Sequence, residues 1–165
     1  MLESTGHSVV LDTVAVMAVS DELLTIERVA VLQRVGLLRG VPGSKLVAVA
    51  RLLEELRYAP GDVIIERGAV EDWLFMVADG RIRVHVDDRT LVESGPGSVV
   101  GELAVLAPGP RSASVTALEP TLLLRLRRAP FEELLDDRPE IARAVISALA
   151  QQLQVVADER AGVAG

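Results

Sequence analysis

Cysteine is absent from this chain of 165 residues, and histidine occurs only twice. Without cysteine the chain forms neither disulfides nor thiolate metal sites, and this absence fits a cytoplasmic location. His7 and His85 lie far apart in the sequence with no ligand spacing around them, so we expect no metal and no cofactor. Half of the residues are hydrophobic, which is enough for a packed core in a single domain.

Aromatic residues and positive charge are also scarce. The chain holds one tryptophan, one tyrosine and two phenylalanines, and its formal net charge is −7. Nucleic acids require clustered lysine and arginine or aromatic stacking platforms, so we expect no nucleic-acid partner. The longest charge-free run, residues 144–157, contains three glutamines and falls short of the roughly 20 apolar residues of a membrane span. We therefore expect no direct membrane span in this chain.

The N-terminal part of the chain is predicted to be helical. Residues 1–20 are interpreted as an extension, whose apolar run at 9–19 is either a further helix packed on the domain or the edge of a longer protein. Apolar residues at helical spacing then predict helices over residues 21–57, interrupted by a Gly-Val-Pro-Gly break at residues 40–43. These helices open a single domain that we expect to end at residue 158.

A run of short strands is predicted to form a β-barrel over residues 58–127. The expected strands are residues 62–66, 73–78, 81–86, 90–93, 114–118 and 121–127. Asp79-Gly80 is typical of a hairpin turn, and seven or eight short strands with frequent turns indicate an antiparallel barrel or jelly roll. The arginines at positions 125, 127 and 128 are interpreted as the solvated face of the last strand.

Two C-terminal helices are predicted over residues 129–158, because Pro130 and Pro139 each suit the first turn of a helix. Residues 159–165 are expected to form a tail. The predicted fold class is therefore α+β, mainly β. We expect an antiparallel β jelly-roll barrel with flanking N-terminal helices and a C-terminal helix pair.

Residues 95–115 contain four glycines and three prolines, which predict mostly turn with one helical turn over residues 102–106. The start of that helical turn presents unpaired backbone N–H groups, which suit a phosphate or carboxylate. Arg111 can bind two phosphate oxygens at once through its guanidinium fork. Glu102 would repel the same anion, so either the ligand also carries a hydroxyl that donates to this carboxylate or Glu102 pairs with Arg111.

Two blocks of this segment, Gly-Glu-Leu-Ala at 101–104 and Pro-Arg-Ser-Ala-Ser-Val at 110–115, closely resemble the phosphate-binding cassette of cyclic nucleotide-binding domains. The order of helices, barrel and helices also resembles that family, over roughly residues 22–157. One departure is Val100, where the family usually has an aromatic residue. The resemblance implies six ligand-binding residues: Gly101, Glu102, Leu103, Ala104, Arg111 and Ser112.

The resemblance also implies a role for each polar contact. Glu102 is expected to bind the ribose 2′-hydroxyl, and Arg111 the cyclic phosphate. The backbone amides of Leu103 and Ala104 are expected to complete the phosphate shell. The amide or hydroxyl of Ser112 would also reach the phosphate.

Outside the cassette, the resemblance implies Val84 and Val92 as apolar walls against the ribose and base. It further implies that the region of Gln151 and Gln152 in the last helix acts as a lid. A small residue after the arginine, here Ser112, resembles cAMP-preferring members of the family. The expected ligand is therefore cAMP, with cGMP as the alternative.

The function predicted from these features is a non-catalytic cyclic nucleotide sensor, either on its own or as the regulatory part of a larger protein. A homodimer or a covalently linked effector domain is the further partner expected. Only about ten residues follow the last helix, so no DNA-binding helix-turn-helix domain is expected. No enzyme is expected, because residues 95–101 fail the dinucleotide fingerprint and no catalytic arrangement stands out. The alternative function is a degenerate interaction or dimerisation module that binds no nucleotide.

Overall fold

The structure is a computed structural model that describes residues 23–163. The extension predicted at residues 1–20 lies outside the described residues. The helices are α1 (Thr25–Leu32), α2 (Gly43–Ala50), α3 (Glu102–Leu106), α4 (Arg128–Asp137) and α5 (Pro139–Val163), with a 3₁₀ turn at Gly36–Leu38. The strands are β1 (Glu54–Tyr58), β2 (Val63–Ile65), β3 (Trp73–Asp79), β4 (Ile82–Val86), β5 (Arg89–Ser94), β6 (Val99–Val100), β7 (Ser114–Ala117) and β8 (Thr121–Arg127).

These strands form two four-stranded antiparallel sheets. One sheet has the order β1-β8-β3-β6, and the other has the order β2-β7-β4-β5. A cluster of buried side chains from both sheets, including Ile65, Phe75 and Leu123, packs between them. With helices before and after the strands, this arrangement confirms the predicted α+β fold with an antiparallel β-barrel.

A second hydrophobic cluster lies between the first sheet and the helices. Leu124 and Leu126 of β8 pack in this cluster with Phe131 of α4 and Ile141 of α5, and all four are buried. Strand β8 buries residues on both of its faces, because Leu123 belongs to the other cluster. Its sequence, Thr-Leu-Leu-Leu-Arg-Leu-Arg, is accordingly rich in leucine without alternation. Because its two faces pack in different clusters, β8 connects the interior of the barrel to the C-terminal helices.

The prediction of helices over residues 21–57 is wrong at its C-terminal end. Helix α2 ends at Ala50, and residues 54–58 form β1, which pairs with β8 over its whole length. Leu56 fits helical spacing, but it also alternates with Tyr58, and both side chains pack against the cluster between the sheets. Strand pairing therefore prevails over helical periodicity here, and the barrel starts before residue 58.

Three further boundaries differ from the prediction. The first helix is split, since α1 ends at Leu32 and a separate 3₁₀ turn follows at Gly36–Leu38. Strand β6 occupies a segment that was predicted as turn. Helix α5 continues to Val163, so residues 159–163 of the predicted tail are helical. The ends of the six predicted strands are displaced by no more than one residue.

Helix α5 has an inner half and an outer half. In the inner half Ile141, Val145 and Ala148 are buried. In the outer half, residues 150–162, every side chain is exposed. Among the helices of residues 23–163, none combines the length and the apolar character that crossing a membrane would require.

Candidate functional site

The predicted anion site lies in residues 101–113, here called the cassette segment, which connects β6 to β7. Gly101 has a φ of +82° immediately before α3 begins at Glu102. A Cβ at this position would collide with Nη1 of Arg111, so glycine is required here. The turn at Gly101 thus places the start of α3 beside the Arg111 guanidinium.

The guanidinium of Arg111 is held by three acceptors, and the residue is only 7% exposed. Its Nε donates to a carboxylate oxygen of Glu71 at 3.2 Å, and its Nη2 donates to the carbonyl of Trp73 at 2.5 Å. Its Nη1 donates to the carbonyl of Gly101 at 3.4 Å. A guanidinium has five N–H groups, so these bonds leave one N–H on each terminal nitrogen. Both remaining groups can donate to an anion such as a phosphate.

Glu102 lies at the first position of α3 and does not pair with Arg111. Within residues 23–163 the Glu102 carboxylate has no hydrogen bond or ion pair, and the residue is partly exposed. The ion pair of Arg111 is made with Glu71 instead. Of the two alternatives for Glu102, the structure therefore favours a carboxylate that can accept a hydrogen bond from a ligand.

A cavity of about 240 Å³ lies beside Arg111. Apolar side chains from both sheets form most of its wall, and its polar groups come mainly from the cassette segment. The lining residues are Ile65, Val84, Val92, Ser94, Val99, Val100, Gly101, Glu102, Arg111, Ser112, Ala113 and Val115. The structure thus brings the two predicted apolar walls to the same cavity as four of the six predicted cassette residues.

A second cavity, of about 510 Å³, also borders the cassette segment and shares Gly101, Glu102, Arg111 and Ser112 with the first. Ala104 lines this second cavity, and its backbone N–H donates to the carbonyl of Gly101 at 3.0 Å. An anion at the Ala104 amide would therefore have to share this donor. Leu103, the remaining predicted cassette residue, is the second residue of α3.

The predicted lid residues are separate from the apolar walls. Gln151 and Gln152 line a groove of about 440 Å³ together with Arg39, and neither lines the two cavities at the cassette segment. Glu102 borders this groove as well as the cavity that contains Val84 and Val92. Glu102 thus borders both the cavity beside Arg111 and the groove under α5.

Glu71 and Trp73, which hold the Arg111 guanidinium, were not predicted from the sequence. Glu71 belongs to the loop between β2 and β3, and the pairing of β2 with β7 places this loop next to the cassette segment. Two backbone hydrogen bonds of 2.8 Å join this loop to the cassette segment. Gly68 N–H donates to the Arg111 carbonyl, and Arg111 N–H donates to the Ala69 carbonyl. No motif spacing predicts such a long-range contact.

Two of the arginines predicted as a solvated strand face flank the ring of Trp73. Arg127 is exposed as predicted, whereas Arg125 is largely covered. The guanidinium carbons of Arg125 and Arg127 lie 5.3 and 5.5 Å from the ring centre, within the range of cation–π attraction. Both arginines also form ion pairs with Glu54. The hydrogen bond from Arg125 holds the pKa of Glu54 below its usual value, although partial burial opposes this effect. This cluster braces the residue whose carbonyl holds Arg111.

The third arginine of that group links the cassette segment to the C-terminal helices. Arg128, the first residue of α4, donates from Nε to the carbonyl of Ala104 at 3.0 Å, and its Nη2 donates to the same carbonyl. Ala104 belongs to α3. The interpretation of Arg128 as a solvated strand residue is therefore wrong, because its side chain connects two helices.

The chain is similar in sequence to known cyclic nucleotide-binding proteins. The family model of the cyclic nucleotide-binding domain matches residues 55–138. The CRP-like cAMP-activated global transcriptional regulator of Mycobacterium tuberculosis is 26% identical over 129 residues, covering 75% of this chain and 58% of that protein. A cyclic nucleotide-gated potassium channel of Rhizobium etli is 34% identical over 111 residues, covering 67% of this chain and 31% of the channel.

Solved structures resemble the chain as well. The N-terminal domain of a transcriptional regulator from Streptomyces coelicolor A3(2) has a TM-score of 0.73 and 32% sequence identity to it. That match covers 79% of this chain and 94% of the solved chain. The chain therefore resembles a whole solved domain, whereas it spans only 58% and 31% of the lengths of the two curated relatives.

Proposed function

Because the chain belongs to the cyclic nucleotide-binding domain family, we propose that it is a cytoplasmic, non-catalytic sensor of a cyclic nucleotide, with cAMP as the preferred ligand. One observation carries the proposal. Arg111, with two N–H groups not used within the described residues, and the unpaired carboxylate of Glu102 border the same apolar-walled cavity. A cyclic phosphate and a ribose hydroxyl are neighbouring groups of one molecule, so a cyclic nucleotide satisfies both side chains.

The phosphate is assigned to Arg111. Each hydrogen bond from its guanidinium to a phosphate oxygen contributes about 1.5–3 kcal/mol net, and burial of the side chain limits competition from water. Ser112 borders the same cavity and can add a bond from its amide or hydroxyl. The backbone amides of Leu103 and Ala104 are assigned to the remaining oxygens, with the Ala104 N–H shared between the ligand and Gly101.

The sugar and base are assigned to Glu102 and to the apolar walls. The Glu102 carboxylate accepts a hydrogen bond from the ribose 2′-hydroxyl. Val84 and Val92 contact the ribose and base, and the half-exposed Val92 loses contact with water when a ligand binds. This division leaves each polar group of the sugar phosphate with a partner in the cassette segment.

The preference for cAMP is supported by two observations. The residue after Arg111 is the small Ser112, as in cAMP-preferring members of the family. The regulator of Mycobacterium tuberculosis that resembles this chain is named as cAMP-activated. cGMP is the alternative ligand, because a serine at this position is compatible with either nucleotide.

Binding is proposed to act on α5. Glu102 borders both the ligand cavity and the groove that Gln151 and Gln152 line, so a ligand that draws Glu102 toward its ribose changes the groove at the same time. The ligand shifts the position of α5 in proportion to its differential affinity for the two arrangements, and Gln152 then covers the base. The output would be read by a linked effector domain or by a partner chain.

Isothermal titration calorimetry with cAMP, cGMP and 5′-AMP tests this function. We expect saturable binding of cAMP, weaker binding of cGMP, and much weaker binding of 5′-AMP, whose phosphate is not held in a ring. Chromatography of the cAMP sample after long incubation should detect no 5′-AMP, since the proposal includes no hydrolysis. Absence of heat with every cyclic nucleotide at high micromolar concentration would contradict the sensor function.

A second candidate function, dimerisation, is favoured by an apolar stripe on α5. Ile146, Leu153 and Val156 are 65%, 72% and 45% exposed, and with Leu149 they follow a 3-4-3 spacing that places them on one helix face. Such a stripe suits a coiled-coil contact with a second copy of this chain. Sedimentation velocity should give a dimer for the parent and a monomer for Leu153→Glu, and a monomeric parent would contradict this candidate.

A further inference from the structure

The residue that pairs with Arg111 lies outside the cassette segment. Glu71 lies in the loop between β2 and β3, and it contributes to the lining of neither cavity at the cassette segment. We propose that Glu71 sets the affinity of the site for phosphate, because it positions the Arg111 guanidinium and at the same time weakens its attraction for anions. This inference rests on the proposed function, since it assigns the strength of the same site.

The backbone fixes the position of Glu71 relative to Arg111. The loop and the cassette segment exchange hydrogen bonds of 2.8 Å, from Gly68 N–H to the Arg111 carbonyl and from Arg111 N–H to the Ala69 carbonyl. An isolated bridge also pairs Val70 with the residue before Arg111. The carboxylate of Glu71 therefore meets Nε of Arg111 because two neighbouring chain segments are in register.

Glu71 orients the guanidinium by holding its Nε at 3.2 Å, while the carbonyls of Trp73 and Gly101 each take one N–H of a terminal nitrogen. Three bonds to three separate elements define the plane of the guanidinium and the directions of its two remaining N–H groups. Loss of the Nε bond would leave only acceptors at the terminal nitrogens, which are the nitrogens that a phosphate also needs. Glu71 is thus a positioning residue for phosphate binding.

Glu71 also carries a negative charge next to the group that attracts the ligand. Among residues 23–163 it is the one ion-pair partner of Arg111, and the Arg111 side chain is only 5% exposed, so screening by solvent is weak at this pair. A phosphate bound at the other end of the same guanidinium is repelled by this carboxylate. The two effects of Glu71 have opposite signs, and substitutions can separate them.

The test uses the full chain with three substitutions and cAMP titrations at low and high salt. Glu71→Gln keeps an oxygen that accepts the Nε–H bond and removes the charge, so binding should tighten by about three- to tenfold, with the gain shrinking at high salt. Glu71→Ala removes the acceptor as well, so it should bind at least about fivefold more weakly than Glu71→Gln. Glu66→Gln removes an exposed acid of the same loop and should stay within about twofold of the parent.

Equal weakening by Glu71→Gln and Glu71→Ala, together with equal loss of thermal stability, would mean that Glu71 is only structural and would overturn the inference. A parent that binds no cyclic nucleotide contradicts the proposed function. The inference is then decided by titrating inorganic phosphate into the same proteins and following the Arg111 Nε–H signal by nuclear magnetic resonance. The same order of affinities supports it, and any other order, or no binding of phosphate, overturns it.

Discussion

The cassette segment and the outer half of α5 are built in opposite ways. In the cassette segment a charged side chain, Arg111, is buried and has three hydrogen-bond partners. In the outer half of α5 apolar side chains such as Leu153 are exposed. Moving a buried charge away from its partners is costly, whereas exposed apolar side chains gain free energy when another surface covers them. The comparison indicates that the element assigned to binding is preformed, and that the element assigned to output is ready to change its contacts.

The largest effect is expected from removing the buried charge of the cassette segment. Arg111→Ala deletes two charge-assisted bonds to the phosphate, so cAMP affinity should fall by roughly 3 kcal/mol or more, on the order of a hundredfold. Calorimetric titration measures this loss. Arg67→Ala is the matched control, since Arg67 is an exposed arginine that should leave affinity unchanged. Parent-like binding by Arg111→Ala would show that the buried guanidinium does not hold the ligand.

The second prediction compares the two halves of α5 directly. Ile141→Ala should lower the free energy of unfolding by about 2–4 kcal/mol, because its side chain is fully buried against the barrel. Leu153→Ala should change it by no more than about 0.5 kcal/mol at protein concentrations where the chain is monomeric. Urea denaturation of both variants provides the measurement. Similar losses at both positions would remove the distinction between an anchored half and an uncovered half.

The third prediction concerns the carboxylate that borders both the cavity and the α5 groove. Glu102→Gln should weaken cAMP binding by about 1 kcal/mol, or roughly fivefold, since a neutral acceptor replaces a charged one. The parent should lose a similar factor when 2′-deoxy-cAMP replaces cAMP, and the variant should lose little more. If removal of the hydroxyl costs the same in both proteins, Glu102 does not bind the sugar.

The smallest effect is expected at the ion pairs that brace Trp73. Since Arg125 lowers the pKa of Glu54, this pair stabilises the fold above the usual carboxyl pKa of about 4.3 and loses its contribution as the pH falls through the lowered value. The Glu54 side chain is 47% exposed, so the contribution is small. Glu54→Gln should therefore make the fall of the melting temperature between pH 5 and pH 3 slightly shallower. Identical slopes for parent and variant would contradict this assignment.

The parts of the site that lie close together in sequence were predictable. Glu102 and Arg111 belong to one short segment in which glycines and prolines leave few conformations, and Gly101 must be glycine because of its positive φ and its contact with Arg111. Val84 was predictable because residues alternate along a strand, which assigns every second side chain to the interior. Local geometry indicates an anion site at Arg111 and an inward-facing Val84, whereas the individual ligand contacts were implied by the resemblance to the family.

The parts that depend on pairing between distant segments were not predictable. Leu56 satisfies helical spacing and strand alternation equally well, and only the pairing of β1 with β8 decides between them. Glu71 reaches Arg111 because β2 and β7 are neighbours, and nothing within its own loop indicates that contact. The contacts of Arg125 and Arg127 with Trp73 were not predictable, because the ring that they flank lies on another strand.

Arg128 stands at the joint where the last strand becomes the first C-terminal helix, and it grips a carbonyl oxygen of α3 with two nitrogens. The short helix α3, whose Val105 is already buried in the hydrophobic core, is thereby also joined to the start of the C-terminal helix pair. As long as these hydrogen bonds are kept, α3 and the start of α4 move together. A ligand that displaces α3 therefore also pulls on the start of α4 through these hydrogen bonds.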